Sequence, residues 1–171
     1  MVDLAITQTL SARIELAKAK NDIDKVFPMA EIAKDDFNWG KIAEARSYAS
    51  ELLLIAERIR SKDDGDSFKN GITIHNGNMV LGRIALRDNR REDAKNYLLK
   101  AGLTPASPTL NSFGPNMSLA NDLLNVGERE TVLMYFHECH RFWDFNKEKL
   151  NSWEQDVRDG NAPDFGANMV Y

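Results

Sequence analysis

The chain has 171 residues, 43% of them apolar and 28% charged, with a net charge of −4. That is the make-up of an ordinary folded domain, and the negative balance speaks against a nucleic-acid partner, which needs a basic surface to displace counterions. Cys139 is the only cysteine, which excludes a disulfide within the chain. No run approaches the ~18 apolar residues of a membrane span, and Met-Val-Asp-Leu-Ala-Ile-Thr-Gln is not built like a signal peptide, so no membrane association and a cytoplasmic location are expected.

Helical periodicity dominates and strand-like alternation is nearly missing, which predicts an all-α fold. Leu4, Leu10, Ile14, Ala17, Ile23 and Val26 share one face of a first helix over about 3–26. Pro28 is expected to stop it or to open a short helix over about 28–36, because proline fits only a helix's first turn. Ile42, Ala45, Ala49, Leu52, Leu53 and Ala56 give the stripe of a helix over about 40–60, and Ser61 to Asn70 reads as the most loop-like stretch.

Two helix pairs follow, about 73–87 with 91–101 and about 115–125 with 128–143, turning at Asp88-Asn89 and at Gly127. Between them Thr104–Ser112 holds Pro105 and Pro108 and is expected to be a non-helical linker. A last helix over about 145–159 ends at Gly160, with 161–171 as a tail. One domain over 1–171 is expected: N-terminal helices in 1–60, two clear hairpins in 76–142, the helix 145–159 and a docked tail.

The pairs repeat. Asn78-Met79-x-Leu81-Gly82-x2-Ala85-Leu86 returns 38 residues later as Asn116-Met117-x-Leu119-Ala120-x2-Leu123-Leu124. Ala94 with Tyr97-Leu98 and Val132 with Tyr135-Phe136 hold the same spacing across each turn. A weaker copy is Ile32-Ala33 with Ala45, Tyr48 and Ala49, where Asp36 stands in place of an aromatic. A shorter echo links Ser112-Phe113-Gly114-Pro115-Asn116-Met117 to Asp164-Phe165-Gly166-Ala167-Asn168-Met169.

Leu81-Gly82 followed by Ala85, then Ala94-x3-Leu98 and Pro105, resembles the tetratricopeptide repeat over roughly residues 28–142. The closing Asp-Phe-Gly-Ala-Asn is similar to the tails of bacterial chains. The resemblance implies a right-handed array of antiparallel hairpins, a tetratricopeptide-like α-solenoid of about seven or eight helices. It also implies a concave face, built from the first helix of each pair, that binds a peptide or protein. On that face the candidate contact residues are Asn76, Arg83, Arg87 and Asn121, with the two arginines pointing to an acidic partner. The tail is expected to act as a cap, with Phe165 and Met169 or Tyr171 packed, or else to be exchanged with a second copy. The chain would then be a monomer or a homodimer.

Chemistry-bearing motifs are sparse. His137 and His140 share a helix face and could contribute two metal ligands, but Cys139 falls on the apolar stripe and two ligands do not make a structural site. No phosphate-cradling glycine loop, nucleophile elbow or His-Glu-x-x-His pair occurs. Trp39, Trp143 and Trp153 read as core or seam residues. The expected function is therefore a non-catalytic interaction scaffold without catalytic residues or cofactor. The alternatives are an antitoxin or immunity protein neutralising a bacterial toxin, and an enzyme or metal-binding protein.

Overall fold

A computed structural model describes residues 2–61 and 70–170, and of these all side chains except those of 2–6 and 61. The described residues form nine α-helices and no strand: α1 Val2–Lys18, α2 Asp22–Asn38, α3 Ile42–Ser61, α4 Asn70–Arg87, α5 Arg91–Gly102, α6 Pro108–Phe113, α7 Ser118–Asn125, α8 Arg129–Cys139 and α9 Lys147–Arg158. Single 3-10 turns at Asp144–Asn146 and Gly166–Met169 complete the path. No described helix is long and apolar enough to cross a membrane. Most of the loop expected over Ser61–Asn70 lies outside the described residues, as do the Leu4 side chain and Tyr171.

Several boundaries differ from the sequence expectation, among them the helix expected over 128–143, which ends at Cys139. The single helix expected over 3–26 is two helices, because the Asn21 side chain accepts the Asp24 N–H at 2.9 Å and starts α2 afresh. Asp22 and Asp24 then favour the positive end of the helix dipole. Pro28 neither ends nor opens a helix but sits buried inside α2. The helix forgoes one backbone hydrogen bond there. The proline-bearing linker Thr104–Ser112 is also not wholly irregular. Ser107 accepts the Leu110 N–H at 3.2 Å and Pro108 takes the first position of α6, where its missing N–H costs nothing.

From α1 to α5 each helix packs on the next, as α7, α8 and α9 do, and contacts also skip: α2 touches α4, α4 touches α7, and α5 touches α8. The seam positions Leu81, Gly82, Ala85, Ala94, Leu98, Leu119, Ala120, Val132 and Phe136 are all buried, as are Ile32, Ala33, Ala45 and Ala49. Glycine lets helices approach here. A Cβ on Gly82 would collide with Leu119 of α7 and Tyr97 of α5, and one on Gly77 would come within 2.7 Å of Leu53 of α3.

The C-terminal end is aromatic. Trp143 and Trp153 stand 5.7 Å apart, and Phe165 meets Trp153 edge-on at 5.0 Å and Phe136 at 6.1 Å. Trp39, expected in the core or a seam, is instead 43% exposed with Lys41 over its ring. It caps the last turn of α2.

The tail runs back over this cluster. Phe165 is 2% exposed, the Trp153 indole donates to the Asp164 carbonyl at 3.0 Å, and Met169 packs against the core. Asn168 is equally buried. Its amide donates to the Phe113 and Pro115 carbonyls at 3.2 and 3.0 Å, while its own carbonyl accepts the Met117 N–H at 2.7 Å. The two echoed hexapeptides therefore lie against each other, joined through the asparagine of the second.

Candidate functional site

A groove of about 510 Å³ opens between α1, α2, α4 and α6. Its apolar surface comes from Ala12, Phe27, Pro28, Ala30 and Ile72 on the first three of these helices, and from Phe113 at the end of α6. At its rims Phe27 is 45% and Phe113 58% exposed. Polar atoms come from Gln8, Ser11, Thr109 and Asn76, and charge from Glu15, Glu31 and Lys34.

Long-range ties hold the walls. The α1 wall is fixed to α2 by Arg13, whose Nη2 donates to both oxygens of the fully buried Asp36 at 2.7 and 2.9 Å, and by the Thr9 hydroxyl donating to Asp35. Burial raises the Asp35 carboxyl above the usual carboxylate range, against the lowering pull of Thr9. The opposite wall, Phe113-Gly114, is held by Asn168 of the tail. Lys34 joins the two sides, pairing with Glu31 at 3.0 Å and donating to the Val170 carbonyl at 3.3 Å.

Below the groove, His75 of α4 is fully buried. Its Nδ1 donates to the Ala101 carbonyl at 3.1 Å, and its Nε2 accepts the Asn116 N–H at 3.0 Å. Both bonds together fix the neutral tautomer. Burial lowers the imidazole pKa to about 4, although the bond to Ala101 pulls it upward. Tyr135 stacks on this ring and donates its hydroxyl to the Asn116 carbonyl at 2.8 Å. The histidine thus joins α4, the end of α5 and the start of α7.

The expected contact residues separate. Asn76 lines the groove, is 8% exposed, and makes no side-chain hydrogen bond among the described residues. With Arg83 it also borders a small recess beside Lys34 and Phe37. Arg83 is not the open cation the sequence suggested. Its Nε donates to Asp122 at 2.7 Å, its Nη1 to Asn38 at 3.3 Å, and its guanidinium lies 4.4 Å from the centre of the Phe37 ring. The Arg83 charge is thus paired within the chain. Arg87 is exposed at the end of α4 and Asn121 half-buried on α7, and neither borders the groove.

His137 is exposed, and His140 faces Glu154 at 3.2 Å. Among the described residues no three His, Cys, Asp or Glu side chains converge on a metal position. Cys139 is buried, and burial pushes its thiol well above the ordinary range, so it packs as an inert apolar group. Sequence periodicity missed Ser11, Phe27, Lys34 and Phe113, whose meeting depends on tertiary packing. The one local sign was aromatics placed directly before Pro28 and Gly114. No family model, curated protein or solved structure matches the chain.

Proposed function

We propose that this protein is a non-catalytic interaction scaffold that binds a peptide segment of a partner protein in the groove between α1, α2, α4 and α6. In this reading the hairpins α2–α3, α4–α5 and α7–α8 are three units of a right-handed, tetratricopeptide-like array. The first helices α2 and α4 supply the binding face, and α1 and α6 form its rims. The skipping contacts of α2 with α4, α4 with α7 and α5 with α8 support that register, as does the burial of small residues at matching positions.

The observation that carries the proposal is the apolar groove itself, with the Asn76 amide on its lining and making no side-chain hydrogen bond among the described residues. That amide can both donate to and accept from the backbone of a bound segment. The groove volume lies in the usual range for ligand sites, about 300–1,000 Å³.

The test is affinity capture from native lysate with the full chain and with Ser11→Trp. Ser11 is exposed on the groove wall, so the indole fills the groove without disturbing the core. A defined partner held by the parent and lost from Ser11→Trp, at equal melting temperature, supports the scaffold. A partner retained equally by both rules the groove out as its interface.

A further inference from the structure

Helix α4 borders a second concavity on its other side. Ile72 and Asn76 face the groove between α1, α2, α4 and α6, whereas Asn70, Ile74 and Asn78 line a cleft of about 390 Å³ walled by α3 and α5. Asn70 and Asn78 are 4% and 3% exposed, and the side-chain oxygen of each is buried without a hydrogen-bond partner. Turning the Asn78 amide round does not cure this. Its nitrogen donates to the Ile74 carbonyl at 2.8 Å, and the exchange would set oxygen against oxygen. Native interiors rarely leave such acceptors unpaired. Two of them in one cleft call for an occupant that donates.

The rest of the lining narrows the choice. Glu57 and Arg60 come from α3 and Lys100 from α5, all exposed and none in an ion pair among the described residues. Lys100 lies over the Tyr97 ring at 5.7 Å. Two cations against one carboxylate leave the cleft positive, which disfavours an amine or any other cationic donor. A bare carboxylate would suit the cations but brings no proton for the two oxygens. Peptide N–H groups are neutral donors, and a chain that also carries an acidic side chain meets both demands. The spacing agrees. Eight residues along α4 span about 12 Å, and N–H groups four residues apart on one edge of an extended chain span about 13 Å.

We infer that this cleft binds an extended segment of an acidic polypeptide. Backbone N–H groups of the segment pair with the Asn70 and Asn78 oxygens, and an acidic side chain lies between Arg60 and Lys100. The terminal torsion of asparagine is broad, so a small rotation brings each oxygen onto the segment. The site lies on a different face of α4 from the groove of the scaffold reading and does not depend on it.

The probes are the capped peptide acetyl-Leu-Ala-Asp-Ala-Leu-amide and its counterpart with lysine in place of aspartate. Each is titrated into isotope-labelled full-length protein at pH 7 and low salt. The acidic peptide is expected to shift the Ile74, Asn78 and Tyr97 resonances but not those of Ile72 and Thr109. It should bind at least about threefold more tightly than the lysine peptide, with a preference that fades as salt is added. Asn78→Leu replaces the unpaired amide by an apolar group of similar size. It should melt at or above the parent temperature while weakening the acidic peptide by about three- to tenfold.

No shifts at the cleft, equal or tighter binding of the lysine peptide, or an Asn78→Leu protein that binds as the parent does would each overturn the inference. Should Asn78→Leu fail to fold, Arg60→Glu combined with Lys100→Glu takes its place, since both side chains are exposed. That variant is expected to lose the preference for the acidic peptide, and a preserved preference overturns the inference. Binding at the cleft that holds while lysate capture yields no partner supports this site and counts against the scaffold reading alone.

Discussion

His75 shows how one side chain can set the acid limit of a fold. The native state keeps it neutral, with a pKa near 4 against 6.5 when free, so the unfolded chain binds the proton more readily. Its contribution is therefore intact above pH 6.5 and is lost as pH falls toward 4, by about 3 kcal/mol if the whole shift is realised. Melting temperatures measured from pH 7.5 to 4.5 should fall across that window. His75→Gln should flatten the fall while costing about 1–3 kcal/mol at neutral pH, because one of the two buried backbone partners loses its bond. A melt independent of pH between 7 and 5 would show that His75 is not the controlling group.

Among the helices the strongest constraint is the seam of α4, α5, α7 and α8. Ala94 is fully buried in it, and Ala94→Glu should destabilise by about 3–5 kcal/mol, since the carboxylate has no partner there; a neutral effect in thermal or urea melts would contradict the packing described. This seam was legible in the sequence because hairpin packing is local. Leu81, Gly82, Ala94 and Leu98 meet within 18 residues, and their spacing recurs at Leu119, Ala120, Val132 and Phe136. Elements governed by distant contacts were not legible. Pro28 lies buried inside α2, at the local cost of one backbone bond. The positive charge of Arg83 was visible, but the carboxylate that neutralises it lies 39 residues further along the chain. The groove is more remote still from any local pattern, since Ser11, Phe27, Ile72 and Phe113 come from four helices.

For the molecule as a whole, the tail contributes to stability. Phe165→Ala should cost about 3–5 kcal/mol through the lost packing on Trp153 and Phe136. Removing residues 163–171 should lower the melting temperature further. An unchanged mass in solution would show that the tail packs on its own chain, and loss of a dimer that it is exchanged between copies. An unchanged melt in a protein that stays monomeric would contradict both.

The Asn168 amide has a consequence beyond stability. It holds the Phe113 carbonyl, and Phe113 is a rim of the groove, so seating the tail and shaping the groove are a single equilibrium. Thermodynamic linkage makes such coupling reciprocal: whatever fills the groove and favours the seated position of Phe113 also favours the seated tail. Hydrogen exchange at Met117, whose N–H ends on the Asn168 carbonyl, would report that retention in a segment the occupant never touches.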